Sequence, residues 1–309
     1  MTILLFPGQG AQKVGMAKDV AERFPEARLT LARIDDALET PLTSLMWEGP
    51  TADLTLTHNA QPAILAHSAA VLAVLRGRLG TVVAAAGHSL GEYSAYVAAG
   101  ALDAADAALL VRRRGSLMYQ AGQARPGAMA AILGLGTAEV EASCAGATAS
   151  GAGTVVAANL NAPDQTVISG DPAAVTRAGE LCKSAGAKRV LPLQVSGAFH
   201  SPLMEPAVPG LREALEVAPF GEPAFPIVAN ATAEFCRSRD AAVELLALQL
   251  TAPVRWVASI RRLAEAHPGA RWLELGPGST LTGLLKRIIP EASCTPLGGA
   301  ADLDAWLAQ

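Results

Sequence analysis

Cysteine is scarce in this sequence of 309 residues, and the four that occur are far apart. Cys144, Cys182, Cys236 and Cys294 are separated by 38, 54 and 58 positions, so no pair has the CxxC spacing typical of metal or redox sites. The sequence therefore predicts free, buried thiols and no metal site.

Aromatic residues and an excess of positive charge are also lacking. Phe, Trp and Tyr together make up 4% of the chain, and 24 Lys and Arg residues stand against 28 Asp and Glu, which gives a net charge of −4. Nucleic-acid-binding surfaces rely on stacking aromatics and basic grooves. The composition argues against such a surface, and we expect no nucleic-acid partner.

Long apolar runs are absent as well. The N-terminal segment passes into Pro7-Gly8 without the basic region and the apolar stretch of about 7 or more residues that an export signal requires. Elsewhere no apolar run reaches the roughly 18 residues that span a bilayer. We therefore expect a cytoplasmic protein that does not act at a membrane.

The chain does contain enough apolar residues for a sizeable core, because 51% of it is hydrophobic and only 17% is charged. Its length corresponds to about two folding units, or to one large domain with an insertion. Short apolar runs predict buried strands at residues 3–6, 81–86, 225–229 and 272–275. Between residues 128 and 193 the predicted order is strand, helix, strand, strand, helix, strand, which is typical of a ferredoxin-like unit within a larger α/β frame.

The turn Gly87-His88-Ser89-Leu90-Gly91 matches the pattern G-x-S-x-G. A strand is predicted before it and a helix after it, and in this context flanking glycines allow a sharp bend that exposes a nucleophilic serine. An ordinary glycine-rich turn is the alternative interpretation. No HGGG-type oxyanion motif of an α/β-hydrolase esterase is present.

A serine nucleophile needs a base, and the sequence has five histidines. His88 is adjacent to the serine, so a sharp turn directs its side chain elsewhere. His67 is predicted to lie in an alanine-rich helix, and His58 and His267 in polar loops. Histidines in such positions are more often packed or solvated than catalytic. His200 follows the small unit in a loop with glycine, serine and proline, and it is the candidate base, although a structural role is equally compatible with its position.

Five motifs in this order carry a resemblance to a known family: Phe6–Gln12, Gly87–Tyr93, Arg114-Gly115, Asn159–Pro163 and Gly197–Ser201. The sequence resembles the malonyl-CoA:acyl carrier protein transacylases from about residue 3 to residue 289. It is also similar to the acyltransferase domains of modular polyketide synthases, which share these motifs. Five ordered motifs are far more specific than G-x-S-x-G alone.

The resemblance implies roles for the candidate residues. Ser89 would be the nucleophile and His200 its base, with the main-chain carbonyl of Gln249 orienting the imidazole in place of a carboxylate. The backbone N–H groups of Gln9 and Leu90 would form the oxyanion hole, where such donors contribute about 3 kcal/mol each.

The resemblance also implies a malonyl-binding residue, Arg114. A planar guanidinium can pair with the free carboxylate of a malonyl thioester through two parallel hydrogen bonds, whereas the run Arg112-Arg113-Arg114 could otherwise be a solvated helix face. Phe199 would exclude a 2-methyl branch, a steric filter that supports roughly 10- to 200-fold discrimination. The amides of Asn159, Asn161 and Gln249 are candidate pocket residues, and structural turn roles are equally compatible with their positions.

The activity implied is transfer of malonyl from malonyl-CoA to the phosphopantetheine thiol of an acyl carrier protein, in support of fatty acid synthesis, through a malonyl-serine ester. We expect no cofactor, CoA as the leaving product, and a monomer. Alternatives with the same fold are a trans-acting polyketide-pathway acyltransferase, a malonate decarboxylase transacylase subunit and an acyl-carrier thioester hydrolase. A non-catalytic carrier-docking module is the alternative of a different class, and it predicts loss of the nucleophile, base or arginine, all of which are present.

The expected fold is an α/β-hydrolase-like large domain with a parallel sheet and an inserted ferredoxin-like small subdomain. We expect residues 1–122 and 198–309 to form the large domain and residues 123–197 to form the subdomain, with the active site between them. The start of the helix after Gly276-Pro277-Gly278 is a candidate anion site for a CoA phosphate, with a structural Pro-Gly turn as the alternative. An acidic carrier would need a basic patch, and the candidates are Lys188-Arg189, Arg261-Arg262 and Lys286-Arg287.

Overall fold

The computed structural model describes all residues from 1 to 309, and ten strands form two β-sheets. The strands are β1 (Thr2–Phe6), β2 (Val82–Gly87), β3 (Ala128–Leu133), β4 (Val155–Ala162), β5 (Gln165–Gly170), β6 (Arg189–Pro192), β7 (Ile227–Val228), β8 (Phe235–Cys236), β9 (Arg271–Leu275) and β10 (Cys294–Leu297).

Fourteen α-helices and one 3-10 helix (Pro202–Ala207) complete the fold. The α-helices are α1 (Lys18–Arg23), α2 (Pro25–Leu38), α3 (Leu42–Glu48), α4 (Thr51–Thr55), α5 (Thr57–Leu75), α6 (Gly91–Ala98), α7 (Ala104–Ala124), α8 (Thr137–Ala149), α9 (Pro172–Ser184), α10 (Val208–Val217), α11 (Arg239–Leu248), α12 (Trp256–Ala266), α13 (Thr280–Ile288) and α14 (Ala300–Leu307). None of them combines the length and the apolar character that crossing a membrane would require.

The larger sheet has the strand order β10-β9-β1-β2-β7-β8, and all neighbours are parallel except β7 and β8. Parallel neighbours need crossover connections, which here contain helices that cover the sheet, so the central strands are buried on both faces. Ile3, Leu4, Leu5 and Phe6 are all fully buried, as the apolar run predicts. The α/β class is confirmed, whereas the short strands β8 and β10 have no apolar run and were not predicted.

The smaller sheet is antiparallel, with the order β4-β5-β3-β6. This is the strand order of a ferredoxin-like unit, and α8 and α9 pack against each other beside it. Their shared core includes Ile132, Val140, Ile168 and Cys182. The predicted ferredoxin-like unit is confirmed, although β4 ends at Ala162, four residues beyond the end of the strand that the apolar pattern predicts at 154–158.

The small unit is joined to the large one through β4. The N–H of Leu160 donates to the carbonyl of Val254 at 2.9 Å, and the N–H of Val254 donates to the carbonyl of Ala158 at 2.8 Å. The proposed domain division at residues 123–197 stays a prediction, and its first boundary falls in the last turn of α7. The connection through β4 holds the subdomain beside the ends of β1 and β2, where the predicted nucleophile lies.

Candidate active site

A sharp turn between β2 and α6 carries Ser89. The serine has φ 52°, in the left-handed region that costs a residue other than glycine energy, and helix α6 begins two residues later. A Cβ at Gly91 would overlap the carbonyl oxygen of Phe6, and one at Gly87 would overlap the backbone of Gly91. The two glycines of the G-x-S-x-G pattern are therefore required by close backbone packing, Gly91 against β1 and Gly87 within the turn itself, and the predicted strand, turn and helix are confirmed.

Asn230, just beyond the end of β7, holds this turn in place. Its Oδ1 accepts a hydrogen bond from the N–H of Ser89 at 2.6 Å, and its Nδ2 donates to the carbonyl of Gly87 at 2.7 Å. The sequence interpretation missed Asn230. A signal was available, because a polar residue directly after a core strand of a parallel sheet lies at the edge where α/β proteins bind ligands.

Ser89 and His200 form a hydrogen-bonded pair although they are 111 positions apart. The Oγ of Ser89 lies 2.7 Å from Nε2 of His200, and Nδ1 of His200 lies 2.9 Å from the main-chain carbonyl oxygen of Gln249. That carbonyl accepts from Nδ1–H, which leaves Nε2 as the acceptor for the serine proton. The pairing can activate the serine hydroxyl without a carboxylate, as the sequence resemblance implied.

The buried position of His200 keeps its imidazole neutral. Burial, together with the positive charge of Arg114, lowers the pKa of His200 to about 3. A neutral imidazole is the form that can accept a proton, so the group is in its basic form throughout the physiological pH range.

A titration followed by NMR checks this pKa. We expect the His200 imidazole signal, identified by its absence from a His200→Ala variant, to stay in the neutral position from pH 8 to pH 5, where only about 1% would be protonated. In the unfolded chain His200 should titrate near 6.5, so its contribution to folding stability is present above that pH and is lost as the pH falls towards 3. A native-state inflection near pH 6.5 would contradict the assignment.

Arg114 is buried on α7, in contrast to its neighbours in the run. It is 1% exposed, whereas Arg112 is half-buried and Arg113 is exposed. Gly115 allows the close approach of α5, because a Cβ there would lie 2.7 Å from the Cα of His58. The alternative of a solvated helix face therefore holds for Arg113 and in part for Arg112.

The guanidinium of Arg114 is fixed beside the nucleophile by two amide oxygens. Its Nη1 donates to Oε1 of Gln61 at 2.7 Å, and its Nη2 donates to Oε1 of Gln249 at 2.8 Å and to Oγ of Ser89 at 3.1 Å. The place of Gln249 in the pocket stays a prediction, which its side-chain contact with Arg114 supports. Gln61 was missed, although a glutamine within an otherwise apolar buried helix was a usable signal.

The proposed oxyanion donors, the N–H groups of Gln9 and Leu90, have no hydrogen-bond acceptor within the protein. Leu90 directly follows the nucleophile, and Gln9 follows Gly8, which packs so tightly that a Cβ would overlap the carbonyl oxygen of His88. Their role stays a prediction, supported by the free donors and by this close contact between the two loops.

The remaining predicted pocket residues are buried near the junction with the small unit. Oδ1 of Asn161 lies 2.8 Å from Nε2 of His88, and Asn159 forms a parallel bridge with Val254. These contacts favour the structural alternative for both asparagines. Phe199 packs into the main apolar core directly before His200 and is 6% exposed, and its role as a steric filter stays a prediction.

The hypothesis of an anion site at the start of α13 is wrong. The buried carboxylate of Glu274 already accepts from the N–H of Leu281 at 3.0 Å and from the N–H of Thr282 at 2.7 Å. These donors are satisfied, and the carboxylate would repel a phosphate. A surface cavity of about 680 Å³ lies beside this turn, lined by Gly278, Ser279 and His67, and it contains neither Ser89 nor His200. No group of three or more His, Cys, Asp and Glu residues is arranged to hold a metal ion.

Comparison with known proteins first shows the class of protein to which the chain belongs. Residues 3–298 match the family model described as the acyl transferase domain, which covers most of the chain. A parallel α/β sheet, a small antiparallel sheet and a serine at a sharp turn beside a histidine accord with that class. The chain is thus an acyltransferase.

Individual relatives narrow the class. The malonyl CoA-acyl carrier protein transacylase of Bacillus subtilis is 45% identical over 92% of this chain and 89% of the relative, and that of Escherichia coli is 42% identical over 98% and 97%. The crystal structure of an acyl carrier protein S-malonyltransferase from Vibrio cholerae O1 is 41% identical, with a TM-score of 0.93 over 98% of this chain and 99% of the other. A type II PKS acyl-carrier protein in complex with its malonyl-transacylase gives the same identity and TM-score over 99% of both chains. The chain belongs to the malonyl CoA-acyl carrier protein transacylases.

Proposed function

We infer that this chain transfers a malonyl group from malonyl-CoA to the phosphopantetheine thiol of an acyl carrier protein, with Ser89 as the covalent carrier. The observation that carries the inference is the buried guanidinium of Arg114, whose Nη2 lies 3.1 Å from Oγ of Ser89. A buried cation at that distance from a nucleophile suits an acyl group with a free carboxylate, and ordinary acyl groups offer it no partner.

In the first half-reaction, His200 takes the hydroxyl proton of Ser89 through Nε2 as Oγ attacks the thioester carbon of malonyl-CoA. The negative charge of the tetrahedral intermediate is held by the N–H groups of Gln9 and Leu90. The C–S bond then breaks, CoA leaves with the proton from His200, and a malonyl ester remains on Ser89. Arg114 exchanges its contact with the serine for the malonyl carboxylate.

In the second half-reaction, the carrier thiol enters the same site and gives its proton to His200 while its sulfur attacks the ester carbon. Collapse of the intermediate breaks the C–O bond to Ser89, which regains its proton from His200. Both half-reactions use one site in turn, so the kinetics are ping-pong. These steps use only side chains and amides of the protein, and we propose that the enzyme uses no cofactor, acts as a monomer and is cytoplasmic.

We propose that the acyl carrier protein is acidic and that it binds a basic surface of the enzyme. Of the candidate pairs, Arg287 contacts Asp164 and Arg262 contacts Glu234, so their charges are already partly balanced. Lys188 and Arg189 are exposed and form no ion pair, which makes them the better candidates. We propose that the carrier of fatty acid synthesis is the acceptor, and a higher kcat/KM with a polyketide carrier would point to the alternative pathway.

The test is intact-protein mass after brief incubation with malonyl-CoA, followed by a chase with phosphopantetheinylated carrier protein. We expect a single malonyl adduct that moves to the carrier and is stable in buffer without it. Loss of the adduct to water at the same rate would favour the thioester hydrolase, and transfer of acetyl as readily as malonyl would contradict the role of Arg114.

Replacement of Arg114 with alanine should reduce malonyl transfer selectively. The lost charged hydrogen bonds are worth at least about 1.5 to 3 kcal/mol, so malonyl kcat/KM should fall by at least about 10- to 150-fold while acetyl transfer holds or improves. Arg113→Ala on the same helix is the matched control, because Arg113 is exposed, and it should leave both rates unchanged. An equal loss for both acyl groups in Arg114→Ala would rule out the carboxylate clamp.

A further inference from the structure

Glu92 is a fully buried carboxylate next to the nucleophile turn, and the reaction steps above do not use it. It is the second residue of α6. Its Oε2 accepts from Nε2 of Gln249 at 2.7 Å and from the N–H of Asn230 at 3.0 Å, and its Oε1 has no partner. Burial raises the pKa of Glu92 to about 7, which means that the fold disfavours its charged form.

Glu92 is one of three groups that fix the orientation of the Gln249 amide. Nε2 of Gln249 donates to Oε2 of Glu92 and also to the carbonyl of Ser89 at 3.0 Å, and Oε1 accepts from Nη2 of Arg114 at 2.8 Å. The carbonyl oxygen of Ser89 cannot donate a hydrogen bond, and the guanidinium of Arg114 cannot accept one. A flipped amide would therefore face like groups on both sides, and only the observed orientation satisfies all three contacts.

This arrangement holds the guanidinium without neutralising it. The two side chains that fix Arg114 from either end, Gln61 and Gln249, are neutral amides, and the nearest carboxylate acts one residue further away through Gln249. An ion pair at Arg114 would compete with the carboxylate of an acyl group, whereas an amide oxygen fixes geometry and leaves the charge available.

We propose that Glu92 is a positioning residue for malonyl recognition. It anchors the side-chain amide of Gln249, so that Oε1 of Gln249 holds the guanidinium of Arg114 beside Oγ of Ser89. The proposal rests on the proposed malonyl transfer, and it adds a residue that supports the selectivity for malonyl over acyl groups without a carboxylate. Because the main-chain carbonyl of Gln249 orients His200 independently of the amide, loss of the anchor should impair malonyl binding more than the chemistry of an acyl group without a carboxylate.

The experiment compares Glu92→Met with Glu92→Gln. Methionine keeps the length of the side chain and removes the acceptor, whereas glutamine keeps an oxygen that can accept from both Gln249 and Asn230. For Glu92→Met we expect the ratio of malonyl to acetyl kcat/KM to fall at least about 10-fold, mainly through malonyl KM. For Glu92→Gln we expect the ratio to stay within about 3-fold of the wild type.

The matched control is Glu274→Met. Glu274 is the other fully buried glutamate; it accepts hydrogen bonds at the start of α13 and has no contact with Ser89, Arg114 or Gln249. The Glu274→Met variant should be less stable than the wild type, and its ratio of malonyl to acetyl kcat/KM should be unchanged.

Three outcomes would overturn the proposal: an unchanged ratio in Glu92→Met, the same fall in Glu274→Met, or a fall in Glu92→Gln as large as in Glu92→Met. If Glu92→Met does not fold, Glu92→Asp replaces it, since its carboxylate is one methylene too short to reach Gln249; a wild-type ratio there would equally refute the role. Absence of malonyl transfer in the wild type would instead refute the proposed function, and this inference with it.

Discussion

Replacing Ser89 with alanine should abolish formation of the malonyl adduct and reduce transfer to the carrier by about 10⁴-fold or more. The expected loss is the largest for any single residue because the covalent route disappears with Oγ, and removal of a nucleophile from a serine triad costs up to about 10⁶ in kcat. The measurement is intact-protein mass after incubation with malonyl-CoA, combined with the rate of carrier loading.

The same variant should still bind malonyl-CoA. Oγ of Ser89 accepts a hydrogen bond from Nη2 of Arg114, so its removal leaves the guanidinium free to meet the malonyl carboxylate. The affinity of Ser89→Ala for malonyl-CoA, measured by calorimetry, should be equal to or higher than that of the wild type, although acylation is lost. Parallel losses of binding and acylation would indicate a disturbed fold instead of a missing nucleophile.

Ser94→Ala is the matched control for the nucleophile. Ser94 lies on α6, five residues after Ser89, and its buried hydroxyl has no hydrogen-bond partner. It should acquire the adduct and load the carrier at the wild-type rate. A malonyl adduct that persists in Ser89→Ala would place the covalent intermediate on another residue.

Replacing His200 with alanine should slow acylation by about 10² to 10⁴-fold, the usual contribution of a general base. Nε2 of His200 lies 2.7 Å from Oγ of Ser89, and no other imidazole is hydrogen-bonded to the serine. The rate of adduct formation in a single turnover measures this step directly, because it excludes the carrier. An unchanged acylation rate would remove His200 from the mechanism.

His67→Ala serves as the control for a buried histidine. Like His200, His67 is 3% exposed and has one ring nitrogen against a main-chain carbonyl, that of Gly298 at 2.7 Å, but it lies away from the serine. The variant should be less stable and should acylate at the wild-type rate. A comparable fall in both variants would attribute the effect of His200→Ala to lost packing.

Local patterns predicted the nucleophile turn well. G-x-S-x-G between a strand and a helix is a short-range signal, because its two glycines are required where the turn packs closely against itself and against β1. The ferredoxin-like unit was likewise predictable, since each of its elements has its own apolar period. Both predictions depend on neighbours in the sequence, and both are confirmed.

Side-chain partners from distant segments were not predictable in the same way. The pattern Arg112-Arg113-Arg114 does not reveal which arginine is buried, and only the family resemblance singled out Arg114. Asn230 and Glu92 were missed as site residues because each acts through contacts with residues about 140 to 160 positions away. The anion site at α13 failed for a different reason, since the carboxylate that occupies its N–H donors belongs to Glu274, only seven positions before Leu281.

The sequence by itself determined the class of fold and the bend that carries Ser89, and through ordered motifs it indicated His200 as the candidate base and Arg114 as the candidate malonyl-binding residue. Periodicity and glycine spacing express backbone constraints, which are local. Only the tertiary structure decided how the charge of Arg114 is held, because four separate segments supply Gln61, Gln249, Glu92 and the arginine itself. Desolvation and hydrogen bonding within that buried cluster depend on the packed fold, and no local pattern encodes them.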